Sequence, residues 1–196
     1  MQTILDESGY SAMLKNKKDL ETTIDDIRNF AYLYLKKYST SKQQLRTYLF
    51  KKLIKKKQKI SSKKEIFNLI DTVISSLVDQ KFLSDEYYSD AKSKAFLRRG
   101  YSLNKIRYNL IKRGIDEKYI KASISKIKEN ESDPDFFSAI KICKRRRIGP
   151  CREESNRPLF YKKDISILAR SGFSYEISKK VLEIPKKEFK KFCTML

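Results

Sequence analysis

Three thiols and a dense set of cations are the side chains of this chain best suited to chemistry. Cys143, Cys151 and Cys193 could serve as nucleophiles, metal ligands or disulfide partners. None of them belongs to a CxxC pair, and the sequence contains no histidine. Zinc-site spacing is therefore missing, as is the commonest general base near neutral pH. Ordinary thiols, no metal and no cofactor are expected. The carboxylates Asp85, Glu86, Asp116 and Asp133 fall at expected helix starts, where a negative charge favours the positive end of the dipole. Glu153 and Glu154 lie among arginines and read as solvated charge. There is no GxxxxGK[ST] phosphate loop, GxGxxG turn or HExxH helix. A metal-dependent nuclease would need clustered carboxylates beside a lysine, and the spacing does not supply them. The chain is read as a binding protein and not as an enzyme.

The cations carry more. Lys and Arg number 45 against 24 Asp and Glu, a formal charge of +21. A field of that size attracts polyanions. Lysine excess accompanies many Ile, Asn and Tyr, a bias that an AT-rich coding sequence also produces, so the arginines weigh more. The candidate binding surface comprises Lys36, Lys37, Arg46, Lys51 and Lys52 in the first third. Further along it comprises Arg98, Arg99, Lys105, Arg107, Lys112 and Arg113, then Arg145, Arg146, Arg147, Arg152 and Arg170. All lie near expected helix ends and turns, where stacked units would line them into a stripe that neutralises phosphates or acidic side chains. Each one alone is more simply a solvated charge; their recurrence beside equivalent turns favours contact. Tyr32, Tyr34, Tyr48, Tyr101 and Tyr108 are read as core or half-buried, base stacking being the lesser expectation.

The elements that must position these residues are helices. Apolar residues recur at three- and four-residue spacing from about residue 22 almost to the end, with only 5 Gly and 4 Pro. A first stripe holds Ile24, Ile27, Ala31, Tyr34 and Tyr38, and a second Leu45, Leu49 and Leu53. Ser39-Thr40-Ser41 breaks and caps between them. A basic connection is expected over Lys51–Lys64. Ser62 and Glu65 then form a capping box before Ile66, Leu69, Ile70, Val73 and Leu77. Ser84 should cap a helix with Tyr88, Ala91 and Ala95 inward, followed by helices carrying Leu103, Ile106 and Leu110, then Tyr119, Ile120, Ile124 and Ile127. Asp133-Pro134 opens another helix, with Phe137, Ile140 and Ile142. A loop is expected over 149–160. Helices with Ile165, Leu168 and Ala169, then Ile177, Val181 and Leu182, end at Pro185.

Gly100-Tyr101-Ser102, Gly114-Ile115-Asp116 and Gly172-Phe173-Ser174 share one order: glycine, apolar residue, then hydroxyl or carboxylate. Glycine takes the left-handed position that closes a helix, the apolar residue packs back, and the third residue caps the next helix. Leu45 and Ile106 lie 61 residues apart and Gly114 and Gly172 lie 58 apart in matching patterns. The expected fold is all-α, three tandem three-helix (helix-turn-helix-like) repeats in an elongated, curved array. The expected divisions are a flexible arm (1–21), repeats over 22–82, 83–131 and 132–185, and a C-terminal tail (186–196).

At this level the chain resembles the bacterial RecX family. Leu77-Val78-Asp79-Gln80-Lys81-Phe82-Leu83-Ser84-Asp85-Glu86-Tyr87 is similar to the family's join between first and second units. Arg98-Arg99-Gly100-Tyr101-Ser102 and Leu110-Ile111-Lys112-Arg113-Gly114-Ile115-Asp116 resemble its most recognisable core. Arg147-Ile148-Gly149-Pro150 and Leu168-Ala169-Arg170-Ser171-Gly172-Phe173-Ser174-Tyr175 resemble the third unit in the style of alphaproteobacterial members. The resemblance spans roughly 22–184. It implies a crescent of three repeats that lies along the RecA–single-stranded-DNA filament and inhibits RecA's ATP hydrolysis and strand exchange. It brings no catalytic residues. Lysine stands at many positions where the family has arginine, and the Lys51–Lys64 connection is longer and more basic than in the family. The partners expected are the RecA filament and single-stranded DNA, with duplex DNA as a further ligand, acting on a cytoplasmic monomer.

The competing class is a helix-turn-helix protein acting directly on DNA, with Lys118, Lys121 and Lys126 entering the major groove. That helix carries few Arg, Asn or Gln to read base edges. A membrane role is disfavoured: no helix joins a basic face to strong apolar bulk.

Overall fold

The computed structural model of the chain describes residues 23–55 and 62–196. The expected arm at 1–21 lies outside the described residues, as does the middle of the Lys51–Lys64 connection. All regular structure among the described residues is helical. The chain divides into two compact units, Met1–Leu83 and Ser84–Leu196.

The first unit holds α1 (Ile24–Leu35), α2 (Lys42–Lys55) and α3 (Lys63–Asp79). Each start has a side-chain cap. Thr23 and Asp26 close a reciprocal box, Ser41 Oγ accepts from Gln44 N–H at 3.2 Å, and Ser62 accepts from Glu65 N–H at 3.2 Å. The three helices share a core of Ile27, Ala31, Leu45, Leu49, Leu53, Ile70, Val73 and Leu77. The connection is shorter than expected at both ends, because α2 runs on through Lys55 and α3 begins at Lys63. Lysine is a good helix former, and buried Leu53 anchors the last turn of α2 to the core.

The second unit holds two trios. The first comprises α4 (Asp85–Arg98), α5 (Leu103–Ile111) and α6 (Glu117–Asn130) around Tyr88, Phe96, Leu97, Ile106, Leu110, Ile115, Ile120 and Ile127. The second comprises α7 (Pro134–Arg146), α8 (Arg157–Arg170) and α9 (Tyr175–Leu182) around Phe136, Ala139, Ile140, Ile142, Leu168, Phe173 and Val181. The three glycine corners behave alike. Tyr101, Ile115 and Phe173 N–H reach back five residues to Phe96, Leu110 and Leu168 carbonyls, with Gly100, Gly114 and Gly172 at φ 78, 71 and 88°. Ser102, Asp116 and Ser174 then cap α5, α6 and α9.

Three readings are corrected. The inward face of α4 holds Ser89 and Ser93 and not Ala91, which is exposed. Ser89 Oγ lies 2.8 Å from Ser123 Oγ and 3.2 Å from the Tyr119 carbonyl, so the Ser89 and Ser123 hydroxyls are satisfied across the α4–α6 contact, whereas Ser93 Oγ is buried without a hydrogen-bond partner. The stretch 149–160 is not a plain loop. It contains 3-10 turns at Gly149–Cys151 and Glu154–Asn156, and α8 already begins at Arg157. Nor are residues 186–196 a tail, since α10 (Lys186–Thr194) packs on the last core through Phe189, 4% exposed, and through Phe192 edge-on to Phe136. Pro185 stops α9, but its fixed φ of −59° also suits the entry to a new helix.

Candidate functional site

Some of the sequence-predicted cations of the second unit come together where the third trio grips the Gly100 corner. A Cβ at Gly100 would stand 3.1 Å from the Ser138 carbonyl and 3.2 Å from Lys141 Cβ, so α7 presses on the corner's backbone. A Cβ at Gly172 would stand 2.4 Å from Ser102 Oγ and 3.0 Å from Lys105 Cβ, so the α8–α9 corner presses from another side. Ser102 Oγ accepts from Lys105 N–H and donates to the Ser171 carbonyl at 3.1 Å. Asp135, from the first turn of α7, accepts the Leu103 N–H at 2.7 Å and so helps cap α5. Burial pushes its carboxyl pKa up, while that hydrogen bond pulls it down.

The cations close the same junction. Arg145 Nη1 donates to the Arg99 carbonyl at 2.9 Å, and Lys105 Nζ donates to the Arg170 carbonyl at 3.0 Å. Both acceptors lie at helix C-termini, where positive charge is favoured by the dipole. A carbonyl is neutral, so each bond fixes a cation without cancelling its charge. Arg98, Arg99, Lys105, Arg145 and Arg170 thus share one neighbourhood, and Arg98, Arg99, Arg145 and Arg170 are exposed.

Other predicted positions are placed differently. Arg152 makes two hydrogen bonds to Asp164, at 2.8 and 2.9 Å, and Asp164 is 1% exposed and also accepts the Gly149 N–H. Arg107 pairs with Glu117 at 2.9 Å. Arg113 bonds the Asn109 carbonyl and lies over the Phe96 ring. In the first unit, Arg46 grips Asp71 at 2.6 and 2.7 Å and stacks over Phe67, while Lys52 lies over Phe30. Lys36, Lys37, Lys51, Lys112, Arg146 and Arg147 are exposed. Arg147 occupies the left-handed position at φ 54°, and Ile148 N–H returns to Cys143, so a non-glycine closes α7. Tyr34, Tyr48 and Tyr101 are half-buried in ring contacts, but Tyr108 is 64% exposed, against expectation.

No family model matches the chain. Among curated proteins, regulatory protein RecX of Myxococcus xanthus (strain DK1622) is 29% identical over 164 residues, covering 80% of this chain and 84% of that protein. This is a RecX-like chain. Two crystal structures carry the same fold at 18% identity. RecX from Lactobacillus salivarius has a TM-score of 0.59 and covers 86% of this chain and 97% of its own. A second structure of regulatory protein RecX has a TM-score of 0.58, with coverages of 93% and 80%.

In this RecX-like chain the three cysteines all belong to the last core. Burial pushes the Cys143, Cys151 and Cys193 thiols up, away from the reactive thiolate. No group of three ligating side chains suited to a metal occurs among the described residues. No described helix is long and apolar enough to cross a membrane. Sequence reasoning missed Asp135 and Lys141 as parts of the junction. Asp135 was masked by Asp133, which does cap α7, and only the fold shows that the second carboxylate serves a different helix. In the rival helix-turn-helix reading, Lys118 lies over the Tyr119 ring and Lys126 pairs with Asp90, so two of the three lysines that reading uses (Lys118, Lys121 and Lys126) face local partners.

Proposed function

We propose that this RecX-like chain is a regulator of RecA that binds the RecA–single-stranded-DNA filament and lowers its ATP hydrolysis and strand exchange. The observation that carries the reading is the junction of the second and third trios. There, cations held by neutral carbonyls present uncancelled charge from a rigid pair of helical repeats. Arg98, Arg99, Arg145 and Arg170 would meet phosphates or acidic side chains, with Lys105, Lys112 and Arg146 in support. The same junction holds the two trios of the second unit together, so they engage as one body. A fixed shape can bridge neighbouring filament subunits and favour one filament state, and it alters turnover only as far as it binds that state more tightly. The chain itself would act as a cytoplasmic monomer without catalysis.

The test is single-stranded-DNA-dependent ATP hydrolysis by the cognate RecA, measured with increasing amounts of this protein. A saturable fall is expected. An unchanged rate at saturation would sink the regulatory reading.

A further inference from the structure

Tyr108 and Ile111 stand out on α5. Both point away from the core at helical spacing, 64% and 51% exposed, whereas Ile106 and Leu110 on the opposite face are fully buried. Asn104, one turn before Tyr108, is also exposed. Cations bracket this face. Lys105 and Arg170 lie at its N-terminal end, joined by the Lys105 Nζ–Arg170 carbonyl bond, and Lys112 lies exposed at its C-terminal end. From residue 105 to 112 the helix rises about 10 Å, roughly three nucleotides at the ~3.4 Å per-strand rise of a stacked strand.

We propose that the outer face of α5 is a single-strand stacking platform, with Tyr108 receiving a base and the cations at either end holding the flanking phosphates. Its occupant is single-stranded nucleic acid, on charge complementarity: a flat π surface between positive ends matches a base between two phosphates. Tyr175 provides the internal contrast. It is also 64% exposed, but its neighbours include Glu176 and the Tyr161–Glu183 pair. This inference rests on the reading of the chain as a protein acting at a DNA-bound filament, and names the part that touches the strand.

The chain has no tryptophan, so a single Trp reports one place. The Tyr108→Trp and Tyr175→Trp variants of the full chain are titrated with oligo(dT), with binding followed independently by anisotropy of a labelled oligonucleotide. Saturable quenching at position 108 but not at 175 is expected. Binding without quenching at 108, equal quenching at both positions, or no binding at all would overturn the proposal. Tyr108→Ala should weaken oligo(dT) binding on the order of tenfold while Tyr108→Phe keeps it, the size expected for one stacked base. Unchanged melting of both variants would show that the effect is not structural. If Tyr108→Ala loses inhibition of RecA yet binds oligo(dT) normally, the face docks protein and the stacking proposal fails while the regulatory reading stands. If instead RecA turnover is untouched by the unmodified protein but position 108 is quenched, the regulatory reading fails and the platform survives.

Discussion

Arg46 of the first unit and Lys105 and Arg145 of the second are similar cations used in opposite ways. In the first unit, Arg46 is neutralised by Asp71 and flattened over Phe67, and Lys52 lies on Phe30. In the second unit, Lys105 and Arg145 are anchored as firmly in geometry, but to backbone carbonyls of Arg170 and Arg99. The Arg46–Asp71 pair stabilises locally and removes charge from the surface. The carbonyl bonds position charge and leave it uncancelled. Counting basic residues therefore says little about a binding surface until the acceptor of each is known. Arg152 makes the point within the second unit, since its carboxylate partner sets it apart from Arg145 a few residues earlier.

The contrast can be broken in order of expected effect. Asp164→Ala should be the most damaging. It strands the Arg152 guanidinium and the Gly149 N–H around a buried site, and removing one partner of such a pair costs about 3–5 kcal/mol. Chemical denaturation should register this as an earlier midpoint. Gly172→Ala comes next. It forces a side chain into φ 88° with Ser102 Oγ at 2.4 Å, where strain of about 1–3 kcal/mol is expected. Hydrogen exchange should then show loss of protection at the start of α5, where Ser102 and Lys105 meet the corner. Arg46→Ala should lower stability by less than about 1 kcal/mol, because the pair with Asp71 is well exposed to solvent. It should leave inhibition of RecA intact, and a large loss of inhibition would erase the distinction between the units. The smallest effect is a gain. Lys81 sits at φ 60° with the same backward hydrogen bonds as the glycine corners. Lys81→Gly should therefore add about 0.5–1 kcal/mol, the relief of a left-handed L-residue less the extra entropy of unfolded glycine, seen as a higher melting temperature.

Lys81 also marks what the sequence could and could not reveal. The all-helical fold, the core stripes of α2, α3, α5 and α6, and three corners were legible because glycine, an apolar residue and a capping side chain stand in fixed order. The corners at Lys81 and Arg147 were illegible, since nothing in a lysine or arginine announces a positive φ. The inward face of α4 is not legible in the sequence, because serines at 89 and 93 look polar until Ser123 and Tyr119 stand against Ser89. Helix α10 is not legible either, because Pro185 reads equally as an end and as a beginning. For the candidate site, the basic positions were legible as residue types, but their acceptors were not. Those acceptors are set by contacts of 46 and 65 residues' separation, beyond any local pattern.

The most direct test compares two charge reversals on one assay: Arg99→Glu with Arg170→Glu at the junction, and Arg46→Glu in the first unit. Each is titrated against single-stranded-DNA-dependent ATP hydrolysis by the cognate RecA, after thermal melting confirms that both variants fold. Loss of inhibition at the junction with inhibition retained in the Arg46 variant is the expected result. Equal inhibition by the junction variant and the unmodified protein would contradict it.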